Sequence, residues 1–319
     1  MVIPVYGGER TLPALIAELL PMEDPFVTPA GHHGRVTEIF LVHDHGPDNS
    51  AQVIRNLAGK HTSVRPIWLS RNFGQHAATL AGMASSGGDW IVTMDEDGQH
   101  DPSHVPAMLD MAMAERADVV YARPTTPPPH GFVRNLASRG SKHLIDLLVG
   151  GNATSYYHSY RLVLGEIGRG VAAYAGAGVY LDIALGWVAG KVAACAVDVR
   201  AEGDRPSGYG TRALLSHFWR MVLTSGTRLL RFVSVMGLVF ALLGLVVAAA
   251  LVVSRLFGAD LIQGWTSTMV VVLVSTGVVL FSLGVLAEYL GVAVNMAMGK
   301  PLYLIVQDPE LGPIGRKQP

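Results

Sequence analysis

The residues best suited to chemistry lie between Asp95 and Pro102, directly after the apolar run Trp90–Met94. An apolar run that ends in acids is typical of a buried parallel strand, which delivers carboxylates to the sheet edge where α/β folds bind ligands. Asp95 and Asp97 are two residues apart, so their side chains point the same way along extended backbone. Together with the amide oxygen of Gln99 they form an all-oxygen set that suits Mg²⁺ or Mn²⁺ bound to a diphosphate.

The same segment also has a purely structural interpretation. Asp101 as N-cap and Pro102 at the first helical position would start the next helix. This interpretation accounts for Asp101 and Pro102, but it gives no reason for Asp95 and Asp97.

The elements that must position these residues alternate between strand and helix patterns. Strand patterns occupy Val2–Val5, Glu38–His43, Val64–Leu69, Trp90–Met94 and Val119–Ala122. Helical patterns occupy Leu12–Leu20, Ser50–Ala58, Gln75–Ser85 and Pro102–Ala114. This alternation predicts an α/β domain with a parallel sheet covered on both faces. Residues 151–211 are harder to assign, apart from a strand pattern at Val192–Arg200.

The composition is unusually apolar for a soluble protein. Of 319 residues, 50% are hydrophobic and only 15% are charged, which indicates a membrane component. Two long apolar segments supply it, and each has the roughly 19 residues needed to cross a hydrocarbon core of about 30 Å. We therefore expect transmembrane helices over 232–257 and 268–292, joined as a hairpin with both chain ends on one side.

Cations flank the hairpin on the side of the chain ends. Arg228 and Arg231 precede the first segment, and Lys300, Arg316 and Lys317 follow the second. The positive-inside rule therefore places the rest of the chain in the cytoplasm. We expect a catalytic domain over 1–210, a juxtamembrane amphipathic helix over 211–231 and a cytoplasmic tail over 293–319.

A second basic amphipathic pattern, Phe132–Val149, follows a proline-rich break. It favours equally a helix on the membrane surface and an ordinary solvated helix. The net charge of −1 gives no indication of a nucleic-acid partner. The single cysteine, Cys195, excludes an internal disulfide and a cysteine-based zinc site.

Other candidates follow the second and third strands. Asp44 stands where a side chain can hold a ribose, a base or a position near the metal. His43 and His45 favour polar wall residues over metal ligands, since no third ligand is visible in the pattern. Arg71 has two open interpretations, a diphosphate contact and a structural salt bridge. Arg161 and Arg205 are phosphate-binding candidates by guanidinium geometry, and surface cations otherwise.

An ordered set of motifs resembles the family 2 glycosyltransferases of GT-A fold, in the group around dolichol-phosphate-mannose synthase. The set comprises Pro4-Val5-Tyr6, Asp44 with Pro47-Asp48-Asn49-Ser50, Ser70-Arg71-Asn72-Phe73-Gly74, Leu80-Ala81-Gly82, Asp95 to Gln99 with Pro102, Tyr160-Arg161-Leu162, Ser207-Gly208-Tyr209, Gly264-Trp265-Thr266-Ser267, Glu288-Tyr289-Leu290-Gly291 and Lys300-Pro301-Leu302-Tyr303. The resemblance covers nearly the whole chain. Four segments depart from the family pattern. Gly7-Gly8-Glu9 stands for Asn-Glu-Glu, His43 to Gly46 replaces the usual acidic turn, Ser159 replaces an aspartate, and the Gly-x-Ser-x-Tyr stretch is compressed around Arg205 to Tyr209.

The resemblance implies a membrane-bound, inverting, metal-dependent glycosyltransferase of the bacterial plasma or inner membrane. Its substrates would be a nucleoside-diphosphate sugar and a polyprenyl phosphate lipid, its cofactor Mg²⁺ or Mn²⁺, and its assembly a homo-oligomer. The implied catalytic residues are Asp97, Arg161 and Arg205, and the implied metal ligands are Asp95, Asp97 and Gln99. The implied nucleotide-sugar contacts are Pro4, Tyr6, Glu9, Asp44, Arg71 and Asp95. The implied acceptor-phosphate contacts are Arg134, Arg139, Ser207 and Tyr209.

Three other functions compete with this interpretation. A glycan-extending synthase would use the same domain, but such enzymes need more spans or a pore. A metal-dependent phosphohydrolase would need a nucleophilic aspartate or a water-activating base in a motif that we do not find. A non-catalytic membrane scaffold would tolerate the altered turn and Ser159, but it gives no reason for Asp95, Asp97 and Gln99.

Overall fold

The computed structural model describes residues 1–125, 157–176, 179–198, 200 and 264–311, with single helical positions scattered between 230 and 253. Several predictions therefore lie outside the described residues. They concern the amphipathic segments 132–149 and 211–231 and the side chains of Arg134, Arg139, Arg205, Ser207 and Tyr209. The predicted first span, 232–257, is described only at its scattered positions.

The core of the chain is an eight-stranded sheet with the order β10-β5-β4-β1-β6-β8-β7-β9. Its strands are β1 (Val2–Val5), β4 (Ile39–His43), β5 (Val64–Leu69), β6 (Trp90–Thr93), β7 (Val119–Pro124), β8 (Arg161–Leu164), β9 (Val192–Val197) and β10 (Ile305–Val306). A separate two-stranded ladder pairs β2 (Phe26–Val27) with β3 (His33–Gly34). Strands β5, β4, β1 and β6 run parallel, so their carboxyl ends meet at one edge.

Helices cover both faces of the sheet. They are α1 (Leu12–Leu19), α2 (Ser50–Lys60), α3 (Gln75–Ser85), α4 (Val105–Glu115), α5 (Gly165–Tyr174) and α6 (Leu181–Val188), with short 3₁₀ turns at Leu20–Glu23 and Pro102–His104. Successive side chains along a strand point to opposite faces of the sheet. Ile3 packs with α1, α2 and α4, whereas Val2 packs with α3, α5 and α6.

The α/β prediction is confirmed, but the sheet is mixed rather than wholly parallel. The structure differs because β8 inserts antiparallel between β6 and β7. This strand and the helices α5 and α6 lie in the part of the sequence whose pattern was hard to assign. The predicted bounds of β1, β5 and α3 match the structure.

The long helix α7 (Trp265–Ala297) contains the predicted second span. Within the described ranges, one stretch, Val274–Ala297, is long and apolar enough to cross a membrane, with a mean hydropathy of 2.0. Only 6% of its most apolar window is buried against the rest of the chain. The chain turns at Gly299, which has φ +63°, and then returns to the sheet as β10. The segment expected to be a tail thus begins inside α7 and includes the edge strand β10.

Candidate active site

Asp95 lies just beyond the carboxyl end of β6, where the parallel strands converge. Its Oδ1 accepts a hydrogen bond from Gln75 Nε2 at 2.5 Å, and its Oδ2 accepts one from Ser159 Oγ at 2.6 Å. The side chain keeps 26% of its surface exposed. Burial raises the pKa of the Asp95 carboxyl, and the hydrogen bond from Ser159 opposes that shift. The carboxylate is therefore held in a fixed orientation by neutral donors while still reaching solvent.

The next residues form a tight turn that presents Asp97 and Gln99. The backbone N–H of Gln99 donates to Asp97 Oδ1 at 3.0 Å. Gly98 between them has φ +76°, a conformation that glycine adopts without steric cost. Asp95, Asp97 and Gln99 are all half-buried. We call these three residues the rim of the site.

The rim fits a hard divalent cation by the chemistry of its donors, which are oxygens of two carboxylates and one amide. Among the described residues there is no group of three or more His, Cys, Asp or Glu side chains arranged as a metal site. The ligand set of Asp95, Asp97 and Gln99 therefore stays a prediction.

His100 supports the rim from below. Its Nδ1 accepts the backbone N–H of Asp95 at 3.0 Å, and its ring stacks on Tyr160 with 4.9 Å between centroids. Burial lowers the pKa of His100 to about 4, so the ring is neutral at physiological pH. Asp101 caps the following 3₁₀ turn through Ser103 N at 2.9 Å, which confirms its predicted capping role.

A buried cluster, which we call the floor, lies beneath the rim. It consists of Arg161 on β8, Asp182 on α6 and Tyr121 on β7. Arg161 is 3% exposed and its Nη1 pairs with Asp182 Oδ1, while Tyr121 donates its hydroxyl to the same oxygen at 3.0 Å. Burial and the Asp182 charge raise the pKa of Tyr121 well above its usual value, so Tyr121 stays a neutral donor.

The floor changes the interpretation of Arg161. The alternative that Arg161 is a surface cation is wrong, because the side chain is buried and paired. Its expected contact with a phosphate meets a physical difficulty, since Asp182 already balances its charge. Asp182 was missed by sequence reasoning. The available signal was a carboxylate within the apolar run Leu181–Val188, where an unpaired charge would be costly.

Asp44 directly follows β4 and is 3% exposed. Its two carboxylate oxygens accept the backbone N–H groups of Phe73 at 2.7 Å and Gly74 at 2.8 Å. Burial raises the pKa of Asp44, and these two hydrogen bonds oppose the shift. Asp44 therefore ties the end of β4 to the loop that follows β5.

Glu96 and Glu9 fasten the loop that follows β1. Glu96 accepts hydrogen bonds from Tyr6 N at 3.0 Å and Gly7 N at 2.8 Å. Glu9 and the 48–49 turn bind each other reciprocally: Glu9 N donates to Asp48 Oδ2 at 3.0 Å, and Asn49 N donates to Glu9 Oε2 at 3.2 Å. Glu96, which had no assigned role, thus joins the rim to the β1 loop.

Two glycines in the altered segments have close neighbours. A Cβ on residue 46 would lie 1.7 Å from the backbone carbonyl oxygen of Tyr6, and one on residue 8 would lie 2.7 Å from the side-chain atom Glu96 Oε2. Glycine is therefore required at position 46, where the turn after β4 meets the β1 loop. At position 8 a larger residue would instead displace the Glu96 and Leu12 side chains.

The third departure is compensated chemically. Ser159 donates to Asp95, which the aspartate usual at this position could not do when ionised. In this chain the residue at position 159 orients a rim carboxylate instead of adding a charge beside it.

The remaining predicted nucleotide contacts surround the same edge. Pro4 lies in β1 and pairs with Val42, while Tyr6 is 49% exposed. Arg71 is exposed and its guanidinium lies 4.4 Å from the ring centroid of Phe73. His43 is 1% exposed and its ring packs 5.3 Å from the Trp68 ring, so it lies in the core and is not the polar wall residue that we expected.

Comparison with known proteins assigns this architecture. The family described as glycosyl transferase family 2 matches residues 1–167. The undecaprenyl-phosphate 4-deoxy-4-formamido-L-arabinose transferase of Pseudomonas aeruginosa strain LESB58 is 31% identical over 314 residues, covering 96% of this chain and 88% of the relative. The enzyme of that name from Aeromonas hydrophila is 28% identical over 310 residues, covering 96% of this chain and 92% of the relative.

Among solved structures, glucosyl-3-phosphoglycerate synthase from Mycobacterium tuberculosis with Mn²⁺ and uridine-diphosphate-glucose is 21% identical, with a TM-score of 0.49 over 71% of this chain and 77% of the other. The expected family resemblance is confirmed by the family match and the full-length relatives. This chain belongs to glycosyl transferase family 2.

Proposed function

We propose that the protein transfers a sugar from a nucleoside-diphosphate sugar to a polyprenyl phosphate, with inversion at the anomeric carbon. The observation that carries the proposal is the similarity to undecaprenyl-phosphate sugar transferases along 96% of the chain. The match extends beyond the catalytic domain into the apolar C-terminal helix, which would keep the protein beside a lipid acceptor and has no such use for a soluble one. Undecaprenyl phosphate is the acceptor we expect.

The rim is the proposed site of the donor diphosphate. Asp95, Asp97 and Gln99 would hold Mg²⁺ or Mn²⁺, which when bound offsets the charge that develops on the leaving diphosphate. Gln75 and Ser159 hold the Asp95 carboxylate in place. No free energy is therefore needed to orient it during the reaction. Asp97 is the residue on which we expect transfer to depend most.

The donor's nucleoside would lie between the β1 loop and the loop after β5. Tyr6 and Arg71 are exposed there, while Glu9 and Asp44 hold the two loops in place through backbone N–H groups. Pro4 shapes the strand end beneath them. In this proposal Asp44 contributes to nucleoside binding indirectly, by fixing the loop after β5.

The acceptor needs orientation more than activation. A lipid phosphate is already anionic at neutral pH, so its attack on the anomeric carbon needs no strong base. Cations must instead offset its repulsion from the donor. We assign this role to Arg134, Arg139 and Arg205, with Ser207 and Tyr209 as further contacts. Arg161 enters as a positioning residue, because its charge is balanced by Asp182.

The proposed topology is a two-helix membrane hairpin with the catalytic domain on the cytoplasmic side. The supporting observations are the apolar, exposed helix α7 and the cations that flank the two apolar segments. The hairpin keeps the cleft beside the bilayer, where a polyprenyl phosphate resides. We also expect the full-length protein to self-associate.

A lipid-extraction assay tests the proposal. Membranes that contain the protein are incubated with undecaprenyl phosphate, Mg²⁺ or Mn²⁺ and a panel of radiolabelled nucleotide-sugars, and the lipid is then extracted. We expect one donor to give a labelled, mild-acid-labile lipid carrying a single sugar. A longer product would indicate a chain-extending synthase. Folded protein that labels no lipid from any donor would refute the proposal.

A further inference from the structure

We propose that the segment after α7 is a positioning element for the donor pocket, fastened by a clamp of Arg55, Asp308 and Glu310. We call residues 302–310 the return segment. The designation of the pocket as a donor site rests on the proposed function. The mechanical coupling between the return segment and the pocket does not.

The return segment completes the edge of the sheet. Its strand β10 pairs antiparallel with β5, with Ile305 opposite Leu69 and Val306 opposite Trp68. The backbone N–H of Ser70 donates to the carbonyl of Leu304 at 3.0 Å. Ser70 is the first residue after β5, so the hydrogen bonding continues into the loop that borders the pocket.

The clamp adds charge-assisted bonds to this pairing. Arg55 Nε and Nη2 donate to the two carboxylate oxygens of Asp308, each at 2.7 Å, and Arg55 Nη1 pairs with Glu310 at 2.8 Å. The Arg55 and Asp308 side chains are only 16% and 13% exposed. A bidentate, mostly buried pair has defined geometry, in contrast to an ordinary surface ion pair.

The clamp reaches the pocket through Trp68. The Arg55 guanidinium lies 4.8 Å from the Trp68 ring centroid, and the His43 ring packs 5.3 Å from the same ring. His43 precedes Asp44, whose carboxylate holds the Phe73 and Gly74 amides. Two contact paths therefore converge on the 70–74 loop, one along β5 and one through Trp68 and His43.

The same segment is attached directly to the membrane-facing helix. α7 ends at Ala297, the chain reverses at Gly299, and Leu302 and Tyr303 already pack against the core. The end of α7 also contacts the domain, since a Cβ on residue 176 would lie 3.3 Å from Met296 Cγ. The short connection leaves little slack between α7 and the pocket loop.

Amide hydrogen exchange on the full-length protein in nanodiscs tests the coupling without any sugar donor. The variants are Asp308→Ala, Arg55→Ala and the double substitution. The control is Lys191→Ala, which removes the exposed Lys191–Glu115 pair at the opposite edge of the sheet. We expect the Ser70, Phe73 and Gly74 amides to exchange about tenfold faster in each clamp variant. The double variant should match the single ones, because the pair acts as a unit.

A kinetic measurement on the same variants tests the link to function. Once a donor is identified, its KM should rise several-fold while kcat and the KM for undecaprenyl phosphate stay within about twofold. Arg55→Lys keeps the positive charge but loses the bidentate guanidinium geometry. Its donor KM should therefore lie between those of the wild type and Arg55→Ala.

Two results would overturn the proposal. One is unchanged exchange at the three amides in Asp308→Ala. The other is a uniform rise in exchange that also includes the Gly190 amide bound to Asp118 on the far edge, since that would mean general destabilisation. Failure to find any donor would refute the proposed function, but the exchange result would still decide whether the clamp holds the loop.

Discussion

The rim and the floor of the site treat carboxylates in opposite ways. On the floor, Asp182 is buried and balanced by the Arg161 guanidinium. On the rim, Asp95 is partly exposed and bound by the neutral side chains of Gln75 and Ser159. A buried ion pair has its charge neutralised within the fold, whereas a carboxylate oriented by neutral donors keeps a charge to offer to a ligand. On the proposed function, this difference separates residues that hold the site together from residues that act on the substrate.

Removal of the floor carboxylate should give the largest effect on stability. Asp182→Ala leaves the buried Arg161 unpaired, which costs about 3–5 kcal/mol, and we expect a correspondingly lower thermal unfolding midpoint in detergent. The double variant Asp182→Leu with Arg161→Met should lose less, because no charge is stranded. If Asp182→Ala unfolded within about 1 kcal/mol of wild type, the pair would not be structural.

Removal of the rim charge should instead abolish chemistry at nearly constant stability. We expect Asp97→Asn to lower the transfer rate by more than about 10²-fold, measured as labelled lipid per unit of folded protein. Asp101→Asn is the matched control in the same segment, because asparagine also serves as an N-cap. A near-normal transfer rate in Asp97→Asn would contradict the assignment of Asp97 as a metal ligand.

Asp44 is intermediate between the floor and the rim, since it is buried like Asp182 and its hydrogen-bond donors among the described residues are neutral backbone amides. Asp44→Asn turns one acceptor oxygen into a donor that faces an N–H group. We expect a loss of about 1–3 kcal/mol in the free energy of unfolding and a higher KM for the donor. Asp118→Asn is the control, because Asp118 also accepts hydrogen bonds from two backbone amides, those of Gly190 and Lys191, but is only half-buried. Equal losses in both variants would contradict a special role for Asp44.

Ser159 should give the smallest effect. Ser159→Ala removes one hydrogen bond to Asp95, and we expect transfer to slow by about two- to tenfold. Ser159→Asp restores the residue usual in the family but brings a second carboxylate against Asp95. It should therefore be slower than Ser159→Ala in initial-rate assays. A faster Ser159→Asp variant would mean that the rim tolerates another charge.

The features that sequence could predict are those encoded locally. The parallel strands β1 and β5 are short, mainly apolar runs between turns, and α3 is rich in alanine and other helix formers, so their bounds matched. Asp95, Asp97 and Gln99 fall within five residues and directly follow a recognisable strand. Chain geometry alone therefore places these three residues close to one another.

The features that escaped prediction depend on contacts between distant residues. β8 pairs with both β6 and β7, and nothing in its four residues indicates that position. β10 has two residues, too few for any period. Ser159 was recognised only as a missing aspartate, because its partner Asp95 lies 64 residues away. Gln75, similarly, is identifiable as a rim partner only once α3 and β6 are packed together.

The length of α7 has a consequence for the height of the cleft. At 1.5 Å per residue the helix extends about 50 Å, whereas a hydrocarbon core measures about 30 Å. On the proposed topology the exposed Glu288 belongs at the lipid headgroups. The turns from Glu288 to Ala297 then rise about 15 Å above the hydrocarbon as a rigid stalk. On that topology the acceptor phosphate would meet the sugar at the height of the headgroups, beside the hydrocarbon core and not within it.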